Sequence, residues 1–358
     1  MLAWLGGAGD PGRVHTEGRL ARGAVEDARE RVAALLGARP REVVFTSGAT
    51  ESIATATFAA AGSGAHVVCP AVEHSAVREA SSGSEVTVVG VDHHGRVDPD
   101  EMAAALRPGE TALVHVQWAN HEVGTLQPVT EVVEACRGHG VIVHVDAAAA
   151  AGHVPVDFAG SGADVLSVSA HKFGGPPGVG ALLVRRGVRL RPLLVGGEQE
   201  RARRAGTENV AGIVGFGAAA ELLTGPGPEP GGTHLDAEAA AARRLTDRAV
   251  IAAVAVDGVT TYGDSEARLP HLVCLGVGGV QAEAVLIGLD QAGIAVHSGS
   301  ACSSESLEPS PVLEAMGVDA RRSLRVSVGW STTDDDIDAF ATALPSIVAR
   351  LRALAARP

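Results

Sequence analysis

Val165-Leu166-Ser167-Val168-Ser169-Ala170-His171-Lys172-Phe173-Gly174-Gly175 joins an apolar run to a glycine turn through a single lysine. A short β-branched run that meets glycines at once is the pattern of a buried strand ending in a tight turn. Lys172 is the only lysine among the 29 lysines and arginines of the chain. Arginine serves wherever fixed charge or a solvated stem is enough. It cannot lose its proton or form an imine, and a lysine amine can do both. A sole lysine between a strand and glycines therefore occupies the position of a Schiff-base amine. A stray survivor of compositional drift is the ordinary alternative, and its usual place is a polar surface helix.

Similar apolar runs occupy residues 43–46, 66–69, 86–90, 112–117, 141–145, 165–168 and 179–184. Helix-like stretches lie at 25–36, 50–61, 99–106 and 129–138. Seven strands with helical crossovers predict a doubly wound α/β domain with a mostly parallel seven-stranded sheet. Gly225-Pro226-Gly227-Pro228-Glu229-Pro230-Gly231-Gly232 reads as a linker. Beyond it come a helix near 235–252, strands near 259–262 and 271–275, a helix near 281–292, a loop containing Cys302, a strand at 324–328 and a last helix. That succession predicts a smaller α+β domain. The expected domains are 1–226 and 227–358, with no internal repeat.

Composition supports this division. A chain of 358 residues exceeds one small domain. Hydrophobic residues make up 46% and aromatics 3%, so the core must be built from Ala, Val, Leu and Ile. The formal charge of -13 argues against a nucleic-acid partner, which requires a surplus of Lys and Arg. No apolar stretch reaches membrane-spanning length, and Met1-Leu2-Ala3-Trp4-Leu5 lacks the basic start of a secretory signal. Cys69, Cys136, Cys274 and Cys302 are widely spaced, forming neither a metal pair nor a disulfide framework. No metal is expected, and a reducing cytoplasm is the natural setting.

In an open parallel sheet, ligands bind at the carboxyl ends of the strands. Thr46-Ser47-Gly48-Ala49-Thr50-Glu51 falls at such an end, where free N–H groups and the helix dipole form an anion cradle; an ordinary Thr cap is the alternative. Asp146 ends another run, as a helix cap or as the partner of a protonated ring nitrogen of the kind pyridoxal phosphate requires. His74 follows a third run; alone it reads as structural, and it gains weight from its neighbours on the same edge. Cys302 has small polar flanks, which predict an exposed, mobile loop, whereas Cys69 and Cys274 have apolar ones. Arg325 lies within an apolar strand, a placement that suits bidentate capture of a carboxylate better than a surface ion pair.

Together these segments resemble the cysteine desulfurases of the NifS/IscS type, relatives of the class V aminotransferases with the fold type I architecture of pyridoxal-phosphate enzymes. The resemblance runs from about Asp10 to the last helix. It is carried by Phe45 through Ser52, by Ser169 through Lys172, by Arg204-Ala205-Gly206-Thr207-Glu208-Asn209, and by Ser298 through Cys302 with Ser306 through Ser310, all in family order. It implies a pyridoxal 5'-phosphate enzyme that converts L-cysteine to L-alanine. Lys172 matches the lysine that holds the cofactor as an imine, Asp146 the ring-nitrogen partner and His74 the histidine stacked on the ring. Ala49, Thr50, Ser169 and His171 match the phosphate cradle. Thr207 matches a threonine that reaches the phosphate of the other subunit, which implies a homodimer. Arg325 matches the substrate-carboxylate arginine and Cys302 the persulfide nucleophile. The extended Cys302 loop resembles the branch that hands sulfur directly to acceptor proteins.

Three departures accompany the resemblance. The family has a further N-terminal segment with an Asp-x-x-Ala-Thr-Thr-Pro motif, whereas this chain opens at Met1-Leu2-Ala3-Trp4. Ala149 stands where the family places a glutamine on the cofactor's phenolic oxygen. In Asn120-His121-Glu122-Val123-Gly124, His121 replaces an asparagine that contacts cofactor or substrate, beside Asn120 in the substrate-binding set. His121 is the expected substitute donor to the phenolic oxygen. Two other functions fit less of the pattern: a C–S or C–Se lyase acting on another amino acid, and a degenerate, non-catalytic sulfur-trafficking scaffold. A scaffold requires none of Lys172, His74, Asp146, Cys302 and Arg325.

Overall fold

A computed structural model describes residues 1–6, 9–62, 64–298 and 309–356. The chain forms two compact units. Met1–Val89, Asp98–Trp118 and Gln127–Asp236 make the first, and Gly90–Val97, Ala119–Leu126 and Ala237–Pro358 make the second.

The first unit is built on seven strands: β1 (Val43–Thr46), β2 (His66–Pro70), β3 (Glu85–Val89), β4 (Thr111–Gln117), β5 (Ile142–Asp146), β6 (Val165–Ser169) and β7 (Gly180–Val184). Their order across the sheet is β1-β7-β6-β5-β4-β2-β3. Only β7 runs against its neighbours. The mostly parallel α/β sheet expected from the sequence is borne out. β1, β2, β6 and β7 are buried at every residue, which is why they read as continuous apolar runs and not as alternations. The carboxyl ends of β1, β2, β4, β5 and β6 lie along one edge.

Helix Thr16–Leu35 packs on helix Val210–Thr224, an element absent from the sequence reading. A Cβ on Gly217 would stand 2.6 Å from Ala28 Cα, so glycine there lets the two helices close together. The glycine–proline stretch is not a slack tether. Gly227 N–H donates to Gly232 O at 2.8 Å and Pro226 bridges Thr233, making a closed turn that leads into helix His234–Val254.

The second unit carries β8 (Val259–Tyr262), β9 (Leu272–Val277), β10 (His297–Ser298) and β11 (Ser323–Ser327) in the antiparallel order β10-β11-β9-β8. Leu275 and Leu324 of this sheet share one core with Leu245, Val285, Phe340 and Leu344 of helices His234–Val254, Ala282–Gln291 and Asp334–Ala355. Two short segments from the first half of the chain, Gly90–Val97 and Ala119–Leu126, belong here through hydrogen bonds. Leu126 N–H donates to Ala267 O at 2.8 Å, and Asp264 N–H donates to Thr125 Oγ1 at 3.0 Å.

A row of polar side chains crosses the first unit's core. His115 of β4 and His144 of β5 are register partners with Nδ1 atoms 2.8 Å apart. Thr57 gives its hydroxyl proton to Ile53 O (2.9 Å), so its oxygen accepts from His115 Nε2–H (3.3 Å). His115 Nδ1 must then accept from His144 Nδ1–H, and His144 Nε2 accepts from the Ser167 hydroxyl at 2.7 Å. Both rings are neutral and interlocked. Burial pushes His115 down to about 3, and burial with His115 alongside pushes His144 well below its ordinary value. An unfolded histidine titrates near 6.5, so below that pH the unfolded chain binds more protons than the folded one. The contribution is therefore complete above pH 6.5 and drains away as pH falls toward 3. Urea unfolding should show stability falling as pH drops through this window. A His115→Gln/His144→Gln double variant with the same pH slope as wild type would place the acid sensitivity elsewhere.

Candidate active site

The cradle is assembled from β1 and β6 across β7. Thr46 and Ser169, the last residues of β1 and β6, both pair with Gly180 at the start of β7. A Cβ on Gly180 would meet Val168 O at 2.4 Å and Gly48 Cα at 2.7 Å, so only glycine lets these turns close on one another. Gly48 is the N-cap of helix Ala49–Ala60, and no side chain caps that helix. Its first-turn N–H groups are thus left for water or an anion, with Thr50 exposed and Ala49 half-buried beside them. A Cβ on Gly48 would lie 3.4 Å from Ser169 Oγ, so the glycine keeps that space open. Ser169 Oγ is 3.0 Å from His171 Nδ1. Desolvation, then the charge of Lys172, lower the His171 pKa. Ala49, Thr50, Ser169 and His171 therefore gather at one corner of the sheet edge.

Lys172 stands on the turn Ala170–Phe173 immediately after β6, with its side chain exposed. His153 donates from Nε2 to Lys172 O at 2.9 Å, tying the loop that follows Asp146 to the lysine turn. Burial, then the Lys172 charge, lower the His153 pKa. Asp146 closes β5, is 8% exposed, and accepts Ala148 N–H on Oδ1 at 2.9 Å. His74 is the N-cap of helix Ser75–Ser81 and accepts Ala76 N–H on Nδ1 at 3.0 Å, so the ring carries its proton on Nε2. Lys172, Asp146 and His74 thus share the edge that the topology defines.

Sequence reasoning missed the groups that brace this edge. Glu51 accepts Ser47 N–H at 2.8 Å and receives Arg204 on both oxygens at 2.8 and 3.2 Å. Partial burial works against the Glu51 carboxylate, and the bonds from Arg204 and Ser47 outweigh it and hold its pKa low. Thr207 lies exposed in the segment that follows Arg204. Glu51 and Arg204 were visible only as members of motifs, and His153 gave no signal.

The second unit holds Asn120, His121 and Arg325. The Asn120 carboxamide oxygen accepts Glu122 N–H and Val123 N–H at 2.8 and 2.9 Å, so it shapes the turn that presents His121. His121 Nε2 is 3.5 Å from Glu122 Oε1, and Ser310 donates its hydroxyl to Glu122 Oε2 at 2.6 Å. Arg325 donates to His121 O at 3.1 Å and makes no carboxylate ion pair among the described residues, which leaves its charge for a ligand. Cys302 lies outside the described residues. Cys69, Cys136 and Cys274 are buried, and burial raises their thiols to about 12, 11 and 12.

A mostly parallel sheet with a lysine turn, a buried carboxylate at a strand end and an uncapped helix on one edge is the arrangement of a fold type I enzyme. The chain belongs to the aminotransferase class-V family, which it matches over residues 6–340. It is 44% identical to a cysteine desulfurase of Nostoc sp. (strain PCC 7120), covering 97% of this chain and 87% of the relative. It is similar to the solved structure of a NifS-like protein at TM-score 0.87 and 32% identity, over 98% of this chain and 94% of that one. It is also similar to the structure of SspA in complex with cysteine, at TM-score 0.77 and 29% identity over 91% and 92% of the two chains. The family resemblance carried by the motifs is borne out. Among the described residues no helix is long and apolar enough to cross a membrane.

The close approach at Gly180 yields a direct test. Gly180→Ala forces a methyl group against backbone on two sides, and should cost about 2–3 kcal/mol in denaturant unfolding. A cost under about 0.5 kcal/mol would mean that the β1 and β6 turns are not locked together there.

Proposed function

We propose that this chain is a cysteine desulfurase, releasing L-alanine from L-cysteine and leaving the sulfur as a persulfide on Cys302. The observation that carries the reading is Lys172, the sole lysine, on the same sheet edge as Asp146, His74 and the uncapped helix at Ala49. The desulfurase relatives support it, matching nearly the whole chain. So does the arrangement at Gly48, where an open helix terminus, Ser169 and His171 fit the phosphate of pyridoxal 5'-phosphate. Lys172 would hold that cofactor, with Asp146 as the partner of its ring nitrogen and His74 beside it. When bound there, the cofactor supplies an electron sink that makes the substrate Cα–H acidic.

The residues divide the remaining work. Lys172 Nζ takes the Cα proton. Arg325, without a carboxylate of its own among the described residues, captures the substrate carboxylate, with Asn120 in the same substrate-binding set. The Cys302 thiolate attacks the substrate sulfur. An S–S bond forms as the substrate C–S bond breaks, and its electron pair leaves with the carbon skeleton, which gains protons to become alanine. The three buried cysteines, with raised thiol pKa values, are poor nucleophiles, which supports Cys302 in this role. A homodimer in which Thr207 reaches the other subunit's phosphate, delivery to an acceptor protein and a cytoplasmic location complete the proposal.

Purified, cofactor-loaded protein given L-cysteine should form alanine and, with a thiol reductant, equal sulfide. In Cys302→Ser, sulfide release should fall on the order of a hundredfold or more. Undiminished sulfide release in that variant would sink the persulfide step and favour a C–S lyase.

His121 is assigned the place of the missing glutamine, donating to the cofactor's phenolic oxygen, with Glu122 at 3.5 Å orienting its ring. His121→Ala should shift the pH midpoint of the holoenzyme's visible absorbance by about a unit. An unmoved midpoint would remove His121 from this role.

A further inference from the structure

Behind the cradle, within the first unit, lies a cavity of about 250 Å³ bounded by β1, β7 and helix Ala49–Ala60. Its walls include Val44, Leu182 and Val188, and four arginines line it as well: Arg189, Arg191, Arg203 and Arg204. Only one of the four is neutralised by a carboxylate among the described residues, Arg204 by Glu51 at 2.8 Å. Half-buried Arg203 donates to carbonyl oxygens instead, to Arg41 O at 2.9 Å and to Val43 O at 3.5 Å. Burial, then the Arg201 charge, lower the Arg203 pKa, with the nearby Glu200 carboxylate offsetting part of that. The Arg191 guanidinium is held over the Phe58 ring, 3.9 Å from its centroid.

Three arginines that make no carboxylate ion pair among the described residues line one apolar cavity, which is unexpected in a chain of net charge -13. Buried charge is unfavourable unless paired, and a half-buried guanidinium at a cavity wall leaves its pairing to an occupant. Apolar walls with a cationic rim match an acid group on a short hydrocarbon body. The volume, below the usual range for ligand pockets, restricts the guest to a small one. We propose that this cavity is a binding site for a small amphipathic organic anion, its acid group against Arg203, Arg191 and Arg189 and its apolar body against Val44, Leu182 and Val188. The site is lined by residues of the first unit, does not include Arg325, and does not depend on the desulfurase reading.

Isothermal titration of the full-length, cofactor-loaded protein with octanoate tests this, with octan-1-ol and inorganic phosphate as controls. Octanoate should bind saturably. Octanol should not, and phosphate should bind about tenfold more weakly or worse. Arg203→Leu and Arg191→Leu should each weaken octanoate binding by about tenfold or more. Arg191 is exposed, so its variant remains decisive if Arg203→Leu does not fold. The proposal is overturned if octanoate binds no better than octanol or phosphate, or if both variants bind it within about twofold of wild type. It is overturned equally if no saturable binding occurs, the result expected where a second copy of the chain already fills the cavity.

Discussion

The buried ion pair of Arg29 and Glu200 organises the edge on which the first unit's site stands. Arg29 reaches from helix Thr16–Leu35 with both terminal nitrogens, meeting Glu200 at 2.7 and 2.8 Å and Val43 O at 2.9 Å. Glu200 in turn accepts Phe45 N–H at 2.9 Å, so the pair also closes the outer side of β1. Burial opposes the Arg29 charge, yet the Glu200 hydrogen bonds more than restore it and raise the guanidinium pKa. Lysine could not make this contact, since its single nitrogen cannot span two carboxylate oxygens in a fixed plane. The pair holds Glu200, Arg201 and Ala202 at φ of 48°, 59° and 59°, a left-handed turn without a glycine that costs about 1–3 kcal/mol per residue. That turn aims Arg203 at the cavity and Arg204 at Glu51, and Glu51 steadies Ser47 ahead of the helix terminus. One buried pair thus sets both the cradle and the anion cavity behind it.

The strands were legible because their environment permits little choice. Residues 43–46 and 259–262 have the bounds expected for them, the other expected strands differ by a residue or two, and β10 was not expected. A strand buried on both faces tolerates few polar side chains, so its apolar run stands out between turns. Lys172 and Asp146 were legible for a related reason, since each interrupts apolar patterning at the point where a strand gives out. Helix Val210–Thr224 was not, because it is apolar nearly all round and rich in Gly and Ala, which removes the amphipathic period that marks a helix.

What escaped the sequence depends on pairing over long separations. Gln199-Glu200-Arg201-Ala202-Arg203-Arg204 looks like a solvated charge run, and nothing local tells Glu200 that its partner lies 171 residues earlier. His115 and His144 are polar residues inside strands, acceptable only because each ring finds its complement across the sheet. Segments Gly90–Val97 and Ala119–Leu126 read as loops between strands, and hydrogen bonds to residues 263–267 tie them to the second unit.

The departures from the family pattern fall where the sheet does not reach. The elements that close the lysine turn, Ser169 and Gly180, are set by register and close backbone approach, and a change there is felt by the fold. Ala149 and His121 stand on loops, where a side chain can change without moving a strand. The cysteines divide in the same way. Cys69 and Cys274 lie on buried strands and Cys136 ends a packed helix, and all three have thiols raised to about 11 or 12. Persulfide chemistry of the kind proposed requires one reactive sulfur and silence from the rest, because any second thiolate in reach would take the sulfur as a disulfide partner or competing acceptor. Burial supplies that silence, so the core that stabilises the fold also leaves sulfur transfer to Cys302.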